Sequence, residues 1–261
     1  MKLLVCIKHV PDTTTVVKLS EDGRGLDPSG VKWVISPYDE FALEQAIRLR
    51  EDGPAEEIAV LCLGPPDAQV TLRQALAIGA DRAVLIESEE LAGRDASVRS
   101  RVIAAAIGAE NPDLVLTGKL GVGTDEGETA SRLSVLLDRP HAGQVTTFEI
   151  SDGGFRAWRG IEGGTEIVEG ALPAILSCDK GPRQPRYPSL KGIMQAKKKP
   201  LDVRTPADLG IDPSAPEWAS KIEVLSLDLP PARSGCRLFD GTAEASARSL
   251  VQALRDEAKV I

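Results

Sequence analysis

Four short apolar runs, each set apart from the next by a segment of helix length, constrain this chain most. They are Lys2–Val10 (KLLVCIKHV), Ile58–Leu63 (IAVLCL), Arg82–Ile86 and Leu114–Thr117. A continuous apolar run without polar alternation is the texture of a strand buried on both faces of a parallel sheet. After the first run, Ser36-Pro37-Tyr38-Asp39 opens a helix. Ser36 is its candidate N-cap, Pro37 sits at the first position, and Phe41, Ala42, Ala46, Ile47 and Leu49 recur at helical spacing. Further helices are expected over about Asp67–Ile78, Ala96–Gly108 and Ala130–Leu137. Strands alternating with helices at this interval make an α/β fold with a doubly wound, mostly parallel sheet. Ligands of such sheets settle beyond the carboxyl ends of the strands.

Two stretches depart from that rhythm. Val16–Leu19 and Val31–Val34 flank the turn-rich EDGRGLDPSG and read as a β-hairpin excursion. Gly143–Ile150, Phe155–Ile161 and Thr165–Val168 read as an antiparallel meander joined by Asp152-Gly153-Gly154 and Glu162-Gly163-Gly164, with one more apolar strand at Ala174–Cys178. GPRQPRYPSLKGIMQAKKKPLDV follows, rich in proline and basic residues and almost without core side chains. It reads either as a solvated linker or as a docking segment, in which Tyr187, Leu190, Ile193 and Met194 stand among charges that include Lys197, Lys198 and Lys199. Beyond Thr205 the prolines at 206, 213, 216, 230 and 231 make the tail hard to build into the sheet. The expected organisation is an α/β domain over 1–204, with its loop at about 183–200, and an arm over 205–261 lying on another subunit. The last segment of that arm, Ala243–Ala258, has the pattern of an amphipathic helix.

Composition narrows the function classes. A formal net charge of −8 argues against nucleic acid as the main partner. The four cysteines, Cys6, Cys62, Cys178 and Cys236, form no C-x-x-C pair, and the chain has only two histidines, so no metal site is expected. Scattered reduced thiols, an N-terminus interrupted too soon for a signal peptide, and no run near the roughly 18 apolar residues of a membrane span point to a cytoplasmic protein without membrane insertion.

The stretch LVLTGKLGVGTDEGETASRL, from Leu114 to Leu133, carries the candidate chemistry. A strand empties through Gly118, Lys119, Leu120, Gly121, Val122, Gly123, Thr124, Asp125, Glu126, Gly127 and Glu128 into a helix that begins near Thr129. Outward amides, a helix dipole and glycines that let the backbone come close suit a phosphate, although the loop matches neither G-x-G-x-x-G nor G-x-x-x-x-G-K-[ST]. Three carboxylates, Asp125, Glu126 and Glu128, would repel that phosphate unless they point to solvent.

At LVCIKHVPD, Ser36-Pro37-Tyr38-Asp39, ALAIGADRAV and RYPSLKGIMQAKKKP the chain resembles the beta subunit of electron-transfer flavoprotein, a similarity that runs from Lys2 to about Asp212. The resemblance implies a Rossmann-like, adenine-nucleotide-binding fold and a heterodimer. In such a pair the alpha subunit holds most of the FAD, and the beta subunit holds AMP. Electrons are accepted from flavin-dependent dehydrogenases and passed to a downstream quinone reductase. It also implies an electron carrier rather than an enzyme with catalytic residues of its own. Carried over by position, the nucleotide would be lined by Cys6, Ser36, Pro37, Tyr38, Asp39, Leu63 and the loop Gly118 to Thr129. Adenine would lie near Cys6 and Leu63 and phosphate near Gly127 to Thr129. Tyr38 falls at the family's aromatic position beside the flavin. Leu190 falls where the family places the anchor of its recognition loop, with Lys197, Lys198 and Lys199 steering acidic partners. Thr129 resembles the AMP-holding branch; the alternatives are a branch that holds a second FAD and a stand-alone adenine-nucleotide sensor. Gly160 stands where the family has a glutamate.

Overall fold

The computed structural model describes residues 1–231 and 235–261. Its elements run in the order β1 (Lys2–Cys6), β2 (His9–Pro11), β3 (Trp33–Ile35), α1 (Pro37–Glu51), β4 (Glu57–Gly64), α2 (Ala68–Ile78), β5 (Arg82–Glu87), α3 (Glu89–Ala92), α4 (Ala96–Glu110), β6 (Leu114–Gly118) and α5 (Thr129–Leu137). There follow β7 (His141–Ser151), β8 (Gly154–Ile161), β9 (Gly164–Ala171), β10 (Ala174–Cys178), α6 (Leu190–Ala196), β11 (Leu201–Arg204) and, in the tail, α7 (Ala243–Gln252).

One nine-stranded sheet has the order β11-β5-β4-β1-β6-β10-β7-β8-β9. Every pair from β11 to β7 is parallel, and β7-β8-β9 close one side as the antiparallel meander. From β1 the chain moves to β4 and β5 on one side, then returns to β6 on the other. The gap between β1 and β6 is therefore the topological switch point, where diverging loops leave a crevice.

The apolar runs are explained by what covers them. Leu3 and Val5 of β1 join a core with Leu43 and Ile47 of α1 and Leu72 and Leu76 of α2. Leu4 and Cys6, pointing the other way, join Val98, Val102 and Ile107 of α4. Each residue of the strand has an apolar neighbour on its own side, so alternation disappears. Truncating one of these fully buried leucines to alanine costs about 2–5 kcal/mol.

Four expectations change in detail. The run Lys2–Val10 is two strands, because after Cys6 the chain leaves the sheet and His9–Pro11 pairs antiparallel with Trp33–Ile35. The hairpin excursion keeps only a Leu19–Leu26 bridge, since its second arm is taken up by that pairing. The basic segment holds a helix, α6, capped by the Ser189 hydroxyl on the Gly192 amide, and an edge strand, β11, against β5. The main body also continues past 204: Ile211 is buried in the second core, and Arg101 of α4 stacks on Trp218 at 4.6 Å.

Candidate functional site

A cavity of about 220 Å³ opens at the switch point, walled by the ends of β1, β4 and β6 and by the loop after β6. Asp39 sets its geometry. Its carboxylate, buried at the start of α1, accepts the Lys8 amide at 2.8 Å through Oδ2 and the Gly118 amide at 2.9 Å through Oδ1. The exits of β1 and β6 are thereby pinned to one helix terminus. Burial pushes the Asp39 carboxyl up to about 7, against the lowering effect of the two amides and of the Lys8 charge. A Cβ on Gly118 would sit 2.5 Å from Asp39 Oδ1 and 2.7 Å from Tyr38 Cβ, so only glycine lets the helix and the strand end meet.

Ser36 does not cap α1 with its side chain. Its buried hydroxyl accepts the Val122 amide at 3.4 Å, tying the loop to the helix. Of the residues expected at the pocket, Cys6, Asp39, Leu63, Gly118, Lys119, Leu120, Gly121, Thr124, Glu126, Gly127 and Thr129 line the cavity. Ser36, Pro37, Tyr38, Val122, Gly123, Asp125 and Glu128 lie outside that lining. The half-buried ring of Tyr38 lies under Lys119 at 4.7 Å and Lys180 at 6.0 Å. Lys119 also pairs with Asp179 at 3.0 Å.

Two cations that the sequence reading passed over line the cavity, Lys8 and Arg99. Lys8 Nζ donates to the Val122 carbonyl at 3.2 Å and the Thr124 hydroxyl at 3.0 Å. Arg99, in the first turn of α4, pairs with Glu126 at 2.5 Å. The acidic loop is thus largely neutralised: Glu126 by Arg99, Glu128 by Arg132 at 2.9 Å, while Asp125 is exposed. Lys8 had a legible signal, a charge at the carboxyl end of an apolar run. Arg99 had none, because only the crossover of α4 brings it to this edge.

His9 also lines the cavity, stacked on Trp33 at 4.4 Å and sharing a hydrogen bond with Thr71 at 2.7 Å. Its Nε2 is buried without a hydrogen-bond partner and lies 3.7 Å from Asp67. Two cations, a glycine-lined loop and an orphaned imidazole nitrogen are a donor set that fits a phosphate-bearing ligand.

The docking segment is held from beneath. Arg186 donates to Glu44 at 2.8 Å and to Glu51 at 2.6 Å on α1, and the α6 backbone lies so close to α2 that a Cβ on Gly192 would be 2.3 Å from the Ala77 carbonyl. On the outer side Tyr187, Leu190 and Met194 are 94%, 84% and 72% exposed, with Ile193 beside them. Lys197 and Lys198 are exposed. Lys199 has another post: its ammonium donates to the Leu76 carbonyl at 3.0 Å and the Ala80 carbonyl at 2.5 Å, at the C-terminus of α2. Of the three consecutive lysines, that leaves Lys197 and Lys198 facing outward.

A doubly wound sheet with a glycine-lined, cation-bearing cavity at its switch point defines the class of α/β protein to which this chain belongs. The electron transfer flavoprotein domain matches residues 25–209. The electron transfer flavoprotein subunit beta of Syntrophomonas wolfei is 37% identical over 260 residues, covering 100% of this chain and 98% of that protein. Its namesake from Bacillus subtilis is 37% identical over 262 positions, with 100% of both chains covered. The caffeyl-CoA reductase-Etf complex subunit CarD of Acetobacterium woodii is 35% identical over 98% of this chain and 99% of its own. The chain belongs to the electron transfer flavoprotein beta-subunit family. Among the described residues no helix is long and apolar enough to cross a membrane, and no cluster of metal-ligating side chains occurs.

Proposed function

We propose that this chain is the beta subunit of a heterodimeric electron carrier, holding AMP at the switch point and helping an alpha subunit enclose FAD near Tyr38. The observation that carries the reading is the cavity itself, in which Lys8, Arg99 and the loop from Gly118 to Thr129 converge on one edge of the sheet. Bound FAD supplies the chemistry of electron acceptance. The residues of this chain bind, orient and exclude water. Cys6 and Leu63 offer backbone and apolar wall to an adenine, and Thr129, at the first turn of α5, offers its hydroxyl and the helix terminus to a phosphate. AMP in this role is structural, bracing the pocket between β1 and β6, while electrons pass at the Tyr38 surface. There an aromatic ring flanked by Lys119 and Lys180 packs against the flavin side of the interface and keeps water away from it.

Flavin-dependent dehydrogenases dock on the outer side of α6, with Leu190 as the inserted anchor and Lys197 and Lys198 steering the encounter. One apolar anchor in a rim of weak charged contacts gives the fast release that a shuttling carrier needs. Electrons then leave to a downstream quinone reductase. The test is co-expression with the alpha subunit, followed by mass spectrometry of the nucleotides released on denaturation. One FAD and one AMP per heterodimer is the expected result. Two FAD per heterodimer would transfer the assignment to the branch with a second flavin, and a colourless chain indifferent to the alpha subunit would sink it.

A further inference from the structure

We infer that Arg99 and Glu126 form a displaceable latch: Glu126 acts as an internal anion for Arg99, and a phosphate entering the cavity competes with it for the guanidinium. The inference rests on the nucleotide reading above and adds a residue that reads the charge of the ligand. Both side chains line the cavity, joined at 2.5 Å. The other Nη of Arg99 donates to the Arg94 carbonyl, which holds the guanidinium at the cavity wall whichever anion it meets.

The electrostatics favour exchange. Lys8 is close enough to Arg99 that, after burial, the Arg99 charge is the largest influence lowering its pKa, while Glu126 and Asp39 act in the opposite sense. Both cations therefore lie in the field of Glu126, with Asp125 acting on Lys8 as well, beside a buried Asp39 that already accepts two amides. A phosphate dianion brings a second negative charge, which a carboxylate lacks, and can take a bidentate guanidinium contact where Glu126 is bonded through one nitrogen only. The pair is also only partly buried, with Arg99 22% and Glu126 37% exposed, so a released Glu126 is readily solvated. The carboxylate rides on a loop segment in which Asp125 and Gly127, on either side of it, both have positive φ. Residues 125–128 belong to no helix, strand or turn, so a swing of Glu126 breaks no regular secondary structure. The consequence is selectivity by charge: the latch opens for a phosphate and leaves an uncharged nucleoside without its strongest contact.

The experiment is calorimetric titration of AMP and adenosine into the full chain in complex with its partner subunit, after exhaustive dialysis. Glu126→Gln removes the competitor and is expected to tighten AMP severalfold while leaving adenosine unchanged. Arg99→Gln is expected to weaken AMP by about tenfold or more, again without effect on adenosine, and Arg99→Lys to restore only part of the loss. AMP affinity within twofold of wild type in both Glu126→Gln and Arg99→Gln would overturn the latch while leaving the nucleotide site intact. Failure of AMP and adenosine alike to bind the wild-type complex would remove the nucleotide reading, and the latch with it.

Discussion

Asp39, Gly118 and Lys8 lie far apart in the chain, yet two hydrogen bonds from backbone amides to one carboxylate decide where the strand ends stand. Gly118 is the tightest member of that set. Gly118→Ala would place a methyl against Asp39 and against the Tyr38 backbone, which lies 2.8 Å from the ideal Cβ. Overpacking against backbone costs about 1–3 kcal/mol, so thermal denaturation should show that loss together with weaker nucleotide retention. The acidic residues of the loop illustrate what a linear reading misses. Asp125, Glu126 and Glu128 look hostile to a phosphate, but Arg99 and Arg132 turn two of the three into ion pairs. A charge repels according to its neighbours in space, and the sequence lists only its neighbours along the chain.

The segment from Arg186 to Pro200 shows the same gap for an element. Its composition reads as linker or docking loop. What makes it a platform is the anchoring of Arg186 on α1 and the backbone of Gly192 on α2. Leu190→Ala removes a largely exposed side chain. It should slow electron delivery from the dehydrogenase severalfold while the visible spectrum and flavin content stay unchanged, a split that stopped-flow reduction resolves. Burial raises the pKa of the Glu44 carboxyl, but hydrogen bonds from Arg186 and Arg48 outweigh it and hold the group below its ordinary 4.5. The folded state thus favours the ionised form. The anchor is at full strength above pH 4.5 and is lost as pH falls through the lowered folded value. Hydrogen exchange along residues 183–200 should accelerate in that acid window before the amides of the central strands respond.

For the molecule as a whole, the tail divides the surface in two. Up to about Lys221 it packs on the domain, through Ile211, Trp218 and the Lys221 amide on Asp95. Past that point Ile222, Leu225, Leu229 and Leu238 are exposed, as are Leu250 and Val251 on α7. An arm with so much uncovered apolar surface suits a partner chain. Removing residues 222–261 should lower the melting temperature of the remaining domain by less than about 4 °C, the shift of roughly 1 kcal/mol, because among the described residues the main tie lost is one backbone hydrogen bond from Leu227 to Gly23. The same truncation should abolish co-purification with the alpha subunit.

The sheet, its meander and the loop after β6 were all legible in the amino-acid sequence. Strands buried on both faces, helix periods and glycine turns are local signals, each written within a dozen or so neighbouring residues. The sequence also carried the family, through four stretches, of which RYPSLKGIMQAKKKP has an order that no fold dictates. Only the tertiary structure decided the break of the first apolar run at Cys6, the second role of Lys199, and the pairing of Arg99 with Glu126. These depend on which elements cross the sheet and where they end. Charges from distant helices then meet in one crevice, and their pairing follows from distance in space rather than separation along the chain.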